Sequence, residues 1–323
     1  MTISIAKELK PFSHEPGISL PLPLTPLIVK AYPTRLIFLN LDNGEEMEES
    51  LDWEGPIQGF TAELDLYHSC IKVFGQSANG FKRVCLEAVD QGVKLTFDKE
   101  KKEKVISISY EKVLKKGERL SLGKHTKLDW ARIKAKKKIH EMLPVFFALS
   151  QQMPLREGVA PVLDLLQFPS CHDAPNQLLL FLEAGFKDML VPRLIDDTYQ
   201  GIVKEGNISG SPFALFHAGY QAVRPLFFEE TGDTWKFLPS LPKDFPAGRM
   251  GHICTLTQDE IAIEWVKKQI RTVTIYPKGS RSVELIFPKE IKSFRKDRLK
   301  RYLVNSKMVL EAGKKVVLDR FEK

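Results

Sequence analysis

Four cysteines in 323 residues, Cys70, Cys85, Cys171 and Cys254, stand at wide and unrelated spacings. Such spacing spells neither a disulfide framework nor a paired set of metal ligands, so a reducing compartment and no bound metal are the expectations. Long hydrophobic runs are also missing. The most apolar early stretch, residues 20–29, is broken by Pro21, Pro23 and Pro26 and falls short of a membrane span. The first residues, MTISIAKELKPFSHEPG, lack the basic-then-apolar layout of a secretory signal, so a cytoplasmic protein without an anchor is expected. No P-loop and no Gly-x-Gly-x-x-Gly stretch occurs, which removes the usual phosphate-cradling sites; no cofactor is expected. Internal repeats are absent as well.

What is present is ordinary globular material. With 43% hydrophobic and 28% charged residues the chain is too well mixed to be disordered and long enough for two or three cores. The formal charge of +7 permits contact with anionic partners without demanding it. Basic residues gather at Arg132, Lys134, Lys136, Lys137 and Lys138, and again at Lys292, Arg295, Lys296, Arg298, Lys300 and Arg301. Aromatic interleaving suited to base stacking is largely lacking there, so nucleic acid is not the expected partner, although a scaffold role for this basic face stays open. The oligomeric state is not legible.

The order of elements reads β, then α, then β, an α+β fold of two β-rich, sandwich-like regions bridged by a short helical region. Residues 1–125 form the first β-rich domain, with strand-like runs at 27–32, 35–39, 69–74, 81–88, 93–97 and 105–110 and turn chemistry at Asp42-Asn43-Gly44 and Ala78-Asn79-Gly80. The lysine-rich run 98–104 reads as a solvated hairpin tip. Residues 126–233 form the helical region. Thr126 and Asp129 open its first helix, Trp130, Ile133, Ile139, Met142, Leu143, Phe146 and Leu149 supply an apolar face, and Pro144 should kink it. Further helices are expected at 158–167, 175–190 and 212–228. Residues 234–323 return to strands, at 261–265, 272–276, 282–287, 302–304 and 315–318.

The passage FLPSLPKDFPAGRMGHI, followed by IAIEWVKKQIRTVTI, resembles the end of the catalytic domain and the following β-sandwich in glycoside hydrolases related to inverting α-L-fucosidases. The resemblance rests on Leu238-Pro239-Ser240-Leu241-Pro242, Phe245-Pro246-Ala247-Gly248 and Glu264-Trp265, with a second match to that family's N-terminal sandwich over 60–97. It implies a helical barrel carrying a catalytic base just before the helix that leads into the proline-rich turn. Yet a barrel of about twelve helices needs on the order of 300 residues, and only about 110 lie between the β regions. Counting back from Leu238 places the base in the window 209–219, where Ala214 stands closest to the catalytic position and no Asp or Glu occurs. Inverting hydrolysis needs a carboxylic acid and a carboxylate base. The implied reading is a non-catalytic protein resembling a reduced glycoside hydrolase, acting by carbohydrate binding or protein interaction. The alternative is an active glycosidase or phosphorylase on a small glycan.

For that alternative the candidate catalytic carboxylates are Glu183, Asp196 and Asp197, which would need raised pKa values in one pocket. Cys171-His172-Asp173 suggests a nucleophile with its base, but three consecutive residues do not arrange themselves that way, and a loop role is expected. The histidines show no metal spacing, and His217 reads as a boundary residue of an apolar helix. Among the tryptophans, Trp130 and Trp265 fall on apolar faces and belong to the core. Trp53 and Trp235, in turn-rich surroundings, are the expected exposed, sugar-stacking ligand-binding residues.

Overall fold

The computed structural model describes residues 9–97, 102–114, 117–123, 127–193, 211–304 and 307–323. The fold is a β-rich α+β arrangement, as its sequence pattern predicts. Two antiparallel sheets make up the first region. A six-stranded sheet runs in the order Phe12–Ser13, Gln58–Asp65, Cys70–Ser77, Gly80–Val89, Gly92–Phe97 and Lys102–Ile106. A four-stranded meander adds Ile18–Pro21, Leu27–Ala31, Arg35–Asn40 and Glu46–Ser50. Period-2 alternation puts Ala62, Leu64, Ile71, Val73, Val84, Leu86, Val93 and Leu95 on one face, all fully buried, in one continuous core with Leu20, Leu27, Val29, Leu36 and Phe38 of the meander. Lys102–Lys104 of the lysine-rich run lie in a paired strand instead of at a hairpin tip, because they continue the antiparallel register against Leu95–Phe97; residues 98–101 lie outside the described residues.

The helical region is smaller than its apolar periodicity suggests. Its opening helix is two helices, α1 (Trp130–Ala135) and α2 (Ile139–Ser150), because the chain breaks where Lys137 takes a positive φ of 49°. Pro144 sits inside α2. Asp129 caps α1 by accepting the Arg132 backbone N–H, while Thr126 lies outside the described residues. The helix expected at 158–167 is a 3₁₀ segment, Pro161–Leu166. That expected at 175–190 is α3 (Ala174–Gly185), ended by a small hairpin pairing Phe186–Lys187 with Val191–Pro192. The last is α4 (Ala214–Phe227). Phe146 of α2, Phe181 of α3, Phe186 and Phe216 of α4 pack ring to ring at centroid distances of 5.2–6.0 Å. Gly219 is small because a Cβ there would overlap Phe146.

The C-terminal sandwich pairs a seven-stranded sheet with a four-stranded one. The larger sheet runs Arg119–Ser121, Gly248–Cys254, Glu260–Val266, Gln269–Tyr276, Val316–Glu322, Ser293–Lys296 and Lys300–Leu303. The smaller runs Phe228–Thr231, Thr234–Phe237, Arg281–Ile286 and Lys307–Leu310, with one parallel pair between Thr234–Phe237 and Arg281–Ile286. Arg119–Ser121 thus joins the C-terminal sheet before the chain enters the helices.

The proline-rich passage wraps Trp265. Its indole Nε1 donates to the Phe245 carbonyl at 3.0 Å, and its ring stacks on Phe227 of α4 at 5.4 Å, so helix, turn and strand meet at one side chain. Gly248 is required there, since a Cβ would overlap the Trp265 ring and stand 2.6 Å from the Ser121 carbonyl oxygen.

Candidate functional site

The Trp265 junction brings α4, the end of α2, the strand Phe228–Thr231 and the turn after Cys254 to one edge, where a cleft of about 570 Å³ opens. Its floor is Glu118, whose residue is 5% exposed. Gln151, at the C-terminal end of α2, fixes the Glu118 backbone from both sides: its Oε1 accepts the Glu118 N–H at 3.0 Å and its Nε2 donates to the Glu118 carbonyl at 2.9 Å. Tyr220 and Arg224 stand four residues apart on α4 and so share one face of that helix. Both point at the Glu118 carboxylate. Arg224 Nε donates at 3.0 and 3.2 Å, the Tyr220 hydroxyl donates at 3.1 Å, and the Cys254 backbone N–H donates at 3.3 Å.

These contacts neutralise Glu118 and define what it can do. A carboxylate gripped by a guanidinium, a phenol and an amide is a fixed hydrogen-bond acceptor. Burial pushes the Tyr220 phenol well above its ordinary value, and the nearby Glu118 charge adds to the rise, so Tyr220 stays a neutral donor. Its ring stacks on Phe147 of α2 at 5.4 Å, and the Arg224 guanidinium lies 5.2 Å over Phe228 while its Nη2 donates to the Cys254 carbonyl.

Glu230 completes the wall. Its Oε2 accepts the Leu256 backbone N–H at 2.9 Å. Its Oε1 is buried and has no hydrogen-bond partner among the described residues. An unsatisfied buried carboxylate oxygen costs free energy unless something else supplies a donor, and Glu230 is one of the residues that line the cleft.

The residues singled out from sequence fall elsewhere. Glu183 pairs on the surface of α3 with Lys137 at 3.0 Å, and Asp196 and Asp197 lie outside the described residues. Trp53 and Trp235 correct the expectation of exposure, being 6% and 1% exposed. Turn residues nearby govern the backbone, whereas Trp235 alternates inward with Phe237 along its strand and packs edge-on to Phe228. Trp130 and Trp265 are buried, as their periodicity predicts. Ala214, nearest the position of the implied base, is a buried residue opening α4. In Cys171-His172-Asp173 the sulfur is 3.8 Å from His172 Nδ1, but the Asp173 carboxylate accepts from Ser170 instead. His217 lies half-buried on α4 with Nε2 2.8 Å from Gln221. The basic clusters carry acid partners: Lys138 with Glu141, Arg295 with Asp319 and Arg301 with Glu322.

Glu118 and Glu230 were not singled out because each sits in a polar, charged stretch, KKGERL and FEETGD, that reads as solvated loop. The one available signal was Tyr220 and Arg224 at helical i, i+4 spacing. No protein-family model matches the chain, and no curated protein matches it.

Proposed function

We propose that the protein is a non-catalytic binding protein resembling a reduced glycoside hydrolase, and that the cleft between α4 and the C-terminal sandwich takes a carbohydrate. The observation that carries this reading is the unpartnered Glu230 Oε1, set beside the Tyr220 phenol, which donates to Glu118, and the Arg224 guanidinium, whose Nε donates to Glu118 and whose Nη2 donates to the Cys254 carbonyl. A sugar hydroxyl donates to a carboxylate and accepts from N–H or O–H groups in turn, so it suits a wall with one free acceptor. The same features weigh against hydrolysis, because Glu118 is committed to Arg224 and Glu183 to Lys137.

The test is a panel of mono- and oligosaccharides followed by protein-observed NMR, alongside chromogenic glycosides incubated with the same preparation. Binding shifts confined to residues around Tyr220, Glu230 and Leu256 with no glycoside turnover are expected. Turnover would favour the surviving-enzyme alternative, and shifts absent for every sugar would remove the carbohydrate reading.

A further inference from the structure

On other elements than the cleft, the geometry points to a metal site for a thiophilic divalent cation of the zinc class, formed by Cys70, Cys85 and Glu87 on the outer face of the six-stranded sheet. The register places Cys70 opposite Glu87 and Lys72 opposite Cys85 in neighbouring antiparallel strands. Residues two apart share a face, so these four side chains stand together while Ile71, Val84 and Leu86 point into the core. Cys70 Sγ, Cys85 Sγ and a Glu87 carboxylate oxygen all lie within 4.8 Å of one another. Cys70 is 1% exposed, whereas Cys85 and Glu87 are half-buried, so the cluster has an inner wall and an outlet to solvent.

The register also argues about what the two thiols are for. They are diagonal neighbours, not directly opposed, and diagonal positions in an antiparallel pair stand about 7–8 Å apart at Cα. A disulfide spans roughly 4.4–6.8 Å. Two thiolates on one tetrahedral zinc need sulfurs only about 3.8 Å apart, since each Zn–S bond is about 2.3 Å, and the longer side-chain path through the metal bridges the diagonal. Two sulfurs and one carboxylate make a soft donor set that discriminates against calcium and magnesium.

The surroundings fit the charge such a set carries. Lys72 reaches Asp65 at 2.7 Å beside the thiols, and Lys94 reaches Glu87 at 3.4 Å. Binding forms two metal–sulfur bonds and releases the two thiol protons to solvent, with no change of oxidation state.

The test uses the full chain, fully reduced, titrated with Co²⁺ and then with Zn²⁺ against a chromophoric chelator. One equivalent should bind with a near-ultraviolet thiolate-to-cobalt charge-transfer band. The band should persist in Cys171→Ser and disappear in Cys85→Ser, whose zinc affinity should fall about tenfold or more. Glu87→Gln should keep the band and bind more weakly. As Cys85 is half-buried, its serine variant should keep the unfolding midpoint; if it does not, zinc protection of Cys85 from alkylation in the unmodified chain gives the same answer. Absence of the band in the unmodified chain, equal zinc affinity in a folded Cys85→Ser, or a Cys70–Cys85 disulfide forming with no metal uptake would each overturn the proposal.

Discussion

Arg224 Nε binds both carboxylate oxygens of Glu118, at 3.0 and 3.2 Å, across 106 residues of sequence. The pair ties α4 to the segment that leads into the seven-stranded sheet, and the Glu118 side chain is only 3% exposed. Removing one member of a buried pair leaves the other uncompensated, so Glu118→Gln should lower stability by about 3 kcal/mol, read from the urea unfolding midpoint. Tyr220→Phe removes a single hydrogen bond to the same charge and should cost about 1.5 kcal/mol. A near-neutral Glu118→Gln would mean that the ion pair contributes nothing to the junction.

Gly248 offers a sharper steric test. Gly248→Ala should destabilise by about 3 kcal/mol, because the added methyl meets the Ser121 backbone and the Trp265 ring, and backbone cannot yield as a flexible side chain can. The near-ultraviolet circular dichroism of Trp265 should change with it. An alanine variant as stable as the parent would contradict the packing described for the proline-rich turn.

Asp65 sets an acid limit on stability. It is fully buried, and burial alone would raise its pKa, but hydrogen bonds from Lys72 and His68 outweigh that and bring it down from 3.8 to about 2. A folded-state pKa below the unfolded value means that the stabilisation is complete above about pH 4 and is lost as pH falls towards 2. The interval is worth about 2 kcal/mol. The stability gap between the parent and Asp65→Asn should therefore shrink by about that amount between pH 5 and pH 2. Asp319, whose carboxyl Arg295 also holds down, is present in both proteins and cancels. A gap that stays constant over this range would refute the assignment to Asp65.

Much of the fold was legible because alternation and helical periodicity are local. The strand Glu260–Val266 and its inward Trp265, and the helix α4, follow from the spacing of their apolar residues. Glu46–Ser50 escaped because EMEES has no apolar alternation and forms the edge of its meander. The break at Lys137 escaped because a positive φ in a lysine leaves no mark in composition. The cleft was legible least of all. Glu118, Tyr220 and Glu230 gain meaning only when strand Arg119–Ser121 crosses to pair with Gly248–Cys254, a long-range contact that no local pattern announces.

Glu230 is the residue on which the proposed function turns. Isothermal titration of the best-bound sugar from the glycan panel, with the parent protein and with Glu230→Gln side by side, measures it directly. Loss of the carboxylate acceptor should weaken binding about tenfold, equivalent to about 1.4 kcal/mol, with the unfolding midpoint unchanged or raised because the buried orphan oxygen loses its charge. Equal affinity in the two proteins would contradict the account.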